Sequence, residues 1–135
     1  MKNFSIINIL AFVALITAGP AALAGYDEAA AAYEAGDYEA AFAGFQEAAQ
    51  ENHRQAQARL GELYRDGRGT EQDVVRAHMW MTIAYLRGAS ELRNPLATMR
   101  ETMGEGQVAQ SERMAIEWFE GGISELHEFW NQDTE

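Results

Sequence analysis

Four stretches of the sequence carry residue types that do chemistry at close spacing. His78-Met79-Trp80-Met81 offers one imidazole and two thioethers, soft donors that suit Cu(I). Consecutive helical residues point in different directions, so these side chains cannot share an ion without ligands from elsewhere. Met81 also falls on an apolar stripe, where methionine is adaptable core filling. Core packing is the plainer reading; a small periplasmic copper-handling protein built on His78 and the methionines is the alternative. His127-Glu128-Phe129-Trp130-Asn131 begins as a zinc-protease helix does, but Asn131 stands where the second histidine ligand is needed. Gly67-Arg68-Gly69-Thr70 lacks the lysine and the preceding strand of a phosphate cradle and reads as a tight turn. Glu117, Glu120, Glu125 and Glu128 cluster late in the chain. Acid catalysis needs two facing carboxylates with separated pKa values, whereas helical spacing makes these a solvated face. No Ser-His-Asp pattern surrounds His53, His78 or His127. The expectation is a chain with no catalytic residue, no cofactor and no resident metal.

Composition narrows the classes further. The 135 residues allow one domain. The absence of cysteine excludes a disulfide scaffold, a thiolate metal site and a cysteine nucleophile. With 10 Lys+Arg against 21 Asp+Glu the formal charge is −11, which argues against nucleic-acid binding. No basic residue follows Arg113, so residues 114–135 are purely acidic. Such a run is a solvated face first and an attraction for a cationic partner second.

The first 24 residues have the layout of a secretory signal. Lys2 precedes the apolar run Ile9 to Ile16, Gly19-Pro20 break it, and Ala22-Leu23-Ala24 supplies small residues for cleavage between Ala24 and Gly25. The apolar stretch Ile9 to Ala18 is shorter than the roughly 20 residues a spanning helix needs. Cleavage removes the single lysine and leaves 9 arginines against 21 acids. The expected product is periplasmic or secreted, without stable membrane insertion, and held together by packing alone.

The rest of the chain shows apolar residues recurring at three and four, the mark of amphipathic helices. Tyr38, Ala41, Phe42, Phe45, Ala48 and Ala49 form one stripe. Ala56, Leu60, Leu63 and Tyr64 form a second, and Val74, Ala77, His78, Met81, Ala84 and Tyr85 a third. A fourth comprises Val108, Ser111, Ala115, Trp118 and Phe119, and a short fifth Ile123, Leu126 and Trp130. Gly36-Asp37, Gly67 to Thr70, Gly88 to Ser90 and Gly104 to Gly106 supply helix stops, and Asp37 and Asp73 supply N-caps. Pro95 suits the first turn of a helix. The prediction is about seven helices in pairs. Phe45 and Met81, Ala48 and Ala84, and Leu60 and Leu96 share one offset, which indicates an α-solenoid.

The centre of the chain carries a specific pattern: Ala56, Leu60-Gly61, Tyr64, Gly67, Gly69, Asp73, Ala77, Trp80, Ala84 and Gly88. It resembles a Sel1-like repeat, a relative of the tetratricopeptide repeat, over residues 53–90. Residues 25–52 resemble a first, tetratricopeptide-like unit in which Asn52 stands where Gly88 stands in the next. Residues 91–121 resemble a degenerate terminal unit, and 122–135 read as a C-terminal helix with an acidic tail. The resemblance implies an all-α solenoid of about three helix-turn-helix units and a non-catalytic protein-interaction scaffold. Its partner is a protein or peptide, with weak homodimerisation also expected. Geometry places Arg59, Glu62 and Arg65 on the outward side of the first central helix, as candidate partner-binding residues.

Overall fold

The computed structural model describes the backbone of residues 20–132 and the side chains of residues 25–121. Six α-helices follow one another: α1 Pro20–Glu34, α2 Tyr38–Gln50, α3 Arg54–Asp66, α4 Val74–Leu86, α5 Arg93–Thr102 and α6 Glu105–Gln132. A 3-10 turn, Ser90–Leu92, precedes α5. No strand occurs among the described residues.

Each early helix begins and ends for a local chemical reason. The Asp37 carboxylate accepts from the Ala40 N–H at 3.2 Å and Asp73 from the Arg76 N–H at 2.9 Å, capping α2 and α4. The exits repeat one motif. After α1, α2 and α4 the chain takes a left-handed residue: Gly36 (φ 80°), Asn52 (φ 66°) and Gly88 (φ 103°). The next N–H then reaches back to a carbonyl of the last turn, from Asp37 to Ala32, His53 to Ala48 and Ala89 to Ala84. Asn52 thus does the work that Gly88 does one unit later, as asparagine tolerates this conformation better than most residues.

Helix pairs stack along the chain, α1 on α2, α2 on α3 and α3 on α4. The apolar stripes supply the contacts. Ala41, Phe45, Ala48 and Ala49 of α2 are buried, as are Ala56, Leu60, Leu63 and Tyr64 of α3. Within the central pair the backbones come close at Gly61, where a Cβ would stand 2.5 Å from Met81 Cγ and 3.1 Å from the Ala77 carbonyl. Phe45 meets Tyr26 and Tyr33 of α1, and Phe42 meets Tyr64 edge-on at 5.3 Å between ring centroids. Trp80 is buried, and its ring meets Trp118 of α6 at 4.9 Å. This tryptophan therefore joins the central pair to α6. The loop after α3 packs back on the first pair: a Cβ on Gly69 would overlap the Tyr38 carbonyl.

The helix count and the last unit need adjustment. The fourth and fifth stripes lie on one helix, not two, so among the described residues six α-helices stand where about seven are expected, and residues 122–132 continue α6 rather than forming a helix of their own. Gly121 and Gly122 interrupt nothing, since glycine inside a long helix costs only about 1 kcal/mol. The last pair is also looser than the others, because α6 rests mainly on α4 and α5 is only lightly held. Finally, α1 starts at Pro20, inside the segment expected to be removed. Cleavage after Ala24 leaves residues 25–34, which carry the α1 residues packed on the core: Tyr26, Ala29, Ala30, Ala32 and Tyr33. The apolar run of residues 9–18 and the side chains of Ala24, His127 and the acidic tail lie outside the described residues.

Candidate interaction surface

The first helices of successive pairs, α1 and α3, share a face with the 3-10 turn. Between them lies a cleft of about 280 Å³, lined by Tyr26 of α1, by Arg54, Gln55, Ala58, Arg59 and Glu62 of α3, and by residues 89, 91 and 92. The sequence places these residues together through helical periodicity. Arg54, Gln55, Ala58, Arg59 and Glu62 are spaced one, three and four apart and stand opposite the buried stripe Ala56, Leu60, Leu63 and Tyr64.

Two of the three candidate partner residues, Arg59 and Glu62, line this cleft, and they are paired with one another at 3.0 Å. The Arg59 guanidinium also lies 5.3 Å from the centroid of the Tyr33 ring, within cation–π range. Burial opposes its charge, but the bond and charge of Glu62 outweigh this and raise its pKa. Arg65 stands outside the cleft and bonds Asp66 at 2.8 Å. That bond holds the Asp66 carboxyl below its usual range. The three candidates are therefore not a free charged fringe; each is held by a neighbour.

Tyr26, Arg54 and Glu91 belong to the same surface and were not singled out by sequence. Arg54 donates from Nη1 to the Arg87 carbonyl at 3.2 Å, closing the C-terminus of α4. A cation there is favoured by the orphan carbonyls of a helix end. The signal for Glu91 was absent, because it lies on a 3-10 turn that no periodicity announces.

The residues of the repeat signature sit in structural places. Ala56, Leu60, Tyr64, Ala77, Trp80 and Ala84 are buried, and Asp73 caps α4. Gly67, Gly69 and Gly88 have positive φ. Two further chemical candidates fall among the described residues. His78, Met79 and Met81 are buried, with His78 Nδ1 2.8 Å from Ser111 Oγ. Among the described residues no group of three or more His, Asp or Glu is placed to hold a metal ion. Gly67 to Thr70 is a turn between α3 and α4, with no strand before it.

The Sel1 repeat family model matches residues 54–88, which contain α3 and α4, and residues 96–120, which cover most of α5 and the first part of α6. The two segments are Sel1 repeats. Repeats of this family generally mediate protein–protein interaction. The first hairpin, α1–α2, lies outside both matched segments. No curated protein matches the chain.

Proposed function

We propose that this Sel1 repeat protein is an exported, non-catalytic interaction module that holds a protein or peptide segment in the cleft between α1, α3 and the 3-10 turn. One observation carries the reading. The cleft brings the aromatic face of Tyr26, the arginines 54 and 59 and the carboxylates of Glu62 and Glu91 to one opening. Aromatic and arginine side chains are the groups most enriched where proteins bind one another. A bound segment finds an apolar wall, donors that favour carboxylates or backbone carbonyls, and acceptors that favour N–H groups. Export rests on the Ile9 to Ala18 run and the Ala22-Leu23-Ala24 site. No described helix is long and apolar enough to cross a membrane.

Cross-linked affinity capture in the cells that make the chain tests the reading. We expect specific protein partners, lost in Arg54→Glu/Arg59→Glu and retained in Arg113→Glu on the exposed side of α6. Capture unaffected by the cleft variant contradicts the placement of the site.

A further inference from the structure

The central pair α3–α4 is joined to its neighbours at two seams, and a histidine stands at each. At the first seam His53 is the residue before α3. Its Nδ1 accepts the Ala56 N–H at 3.2 Å, so that nitrogen carries no proton. Its ring stacks on Tyr26 of α1 with 4.3 Å between centroids and 23° between planes. At the second seam His78 of α4 is fully buried and meets Ser111 of α6, also buried. Ser111 Oγ donates to the Val108 carbonyl at 2.8 Å. Its one proton is thereby used, so across the 2.8 Å contact it accepts from His78 Nδ1–H, which Thr82 Oγ1 of the same helix also faces at 3.5 Å. The two rings are thus neutral in opposite tautomers, His53 protonated on Nε2 and His78 on Nδ1.

We propose that these two neutral histidines fasten the central pair to both of its neighbours, and that mild acid releases both seams. A proton on His53 Nδ1 turns the acceptor of the cap into a donor facing the Ala56 N–H. This loses the cap and sets a cation at a helix N-terminus, where the dipole disfavours it. A proton on His78 Nε2 creates a buried donor, and that atom has no hydrogen-bond partner among the described residues; burying an unpartnered polar group or charge is costly. The groups facing the rings oppose the proton on balance. For His53 burial dominates, Asp27 of α1 partly offsets it and Arg54 adds to it. For His78 burial again dominates, Arg100 of α5 adds to it and Glu112 of α6 partly offsets it. Both pKa values are lowered in the fold. The unfolded chain therefore binds these protons more readily. Stability is fully present above the ordinary histidine pKa of about 6.5. It falls as pH drops below that value towards the folded pKa values.

The device acts on the fold and does not depend on the proposed cleft. Nitrogen–proton NMR correlations on the chain at pH 7.5 read the tautomers directly. We expect the proton on Nε2 of His53 and on Nδ1 of His78; the reverse tautomer at either ring overturns the proposal. Urea unfolding between pH 7.5 and 5.5 reads the release. The unfolding constant should rise as pH falls, by up to about tenfold per pH unit for each histidine. His53→Asn keeps a good cap and His78→Asn keeps an amide donor for Ser111, while neither titrates. Each variant should lose its own share of the pH slope, whatever its absolute stability, and the double variant both shares. An unchanged slope in the double variant overturns the proposal. Should His78→Asn fail to fold, the His78 ring resonances of the parent chain decide. Titration below the range of an unstructured histidine supports the device, and ordinary titration with the fold intact overturns it.

Discussion

The two seams of the central pair begin alike and end differently. Both leave a helix through the same left-handed exit, Asn52 after α2 and Gly88 after α4. At the first seam α3 starts two residues beyond Asn52, capped by His53, and lies directly on α2. Buried Gln57 stitches the two by donating from Nε2 to the Ala49 carbonyl at 3.1 Å. At the second seam the turn Ser90–Leu92 intervenes, and α5 begins behind Leu92 with no side-chain cap. The helix that fills the space against α4 is α6, through Trp80–Trp118 and His78–Ser111. One inserted turn therefore changes which helix is the neighbour. The first seam is a short local joint, whereas the second depends on contacts between residues more than thirty positions apart. The inserted turn also supplies Glu91 and Leu92 to the cleft, so the looser seam helps to shape the candidate surface.

Six substitutions, in four tests, break or sharpen this comparison. The largest effect is expected for Trp80→Ala, which empties the wide contact of the second seam and should cost about 3–5 kcal/mol in chemical unfolding. A loss below about 1 kcal/mol would show that α6 does not rest on α4 through this residue. Gly69→Ala meets both a positive φ of 71° and the Tyr38 carbonyl, and should cost at least about 1–3 kcal/mol. Gly36→Ala has a similar φ of 80° but open space around it. It should cost less, and the difference measures how firmly the central loop docks on the first pair. Equal losses would remove that contact from the account. Exchanging the exits should move stability in opposite directions by up to about 1 kcal/mol, Asn52→Gly upward and Gly88→Asn downward. A gain from both would show that the two exits are not equivalent. The smallest effect belongs to Arg100→Ala. Its ion pair with Glu112 spans α5 and α6, but the two side chains are 54% and 41% exposed. The change should cost under about 1 kcal/mol and vanish at high salt.

The helices with strong stripes and chemical stops were legible in the sequence. Asp37, Gly36, Asp73 and Gly88 state their roles by residue type alone, and the end of α1, the start of α2 and both ends of α4 follow from them. The resemblance of Asn52 to Gly88 was visible in the repeat offset and is repeated in the backbone. The second seam was less legible. Glycine at 121 and 122 suggests a break, but a helix already propagating past Trp118 absorbs it. A 3-10 turn has no periodicity of its own. The cap at His53 was hidden because histidine is not among the preferred capping residues. Gln57 was hidden because a polar residue on a helix is ordinarily read as exposed. Of the candidate surface, Arg59 and Glu62 followed from helical geometry. Tyr26, Arg54 and Glu91 did not, since they meet only when separate elements pack.

The most direct measurement places a photo-activated cross-linking residue at Gln55 in the cleft, or at Glu71 in the far notch beside Gly36 and Gly69, in the full chain within the cells that make it. Both positions are exposed, so access alone does not separate them. The account predicts a specific protein adduct from position 55 and none from position 71. Adducts from position 71 without any from position 55 would contradict it.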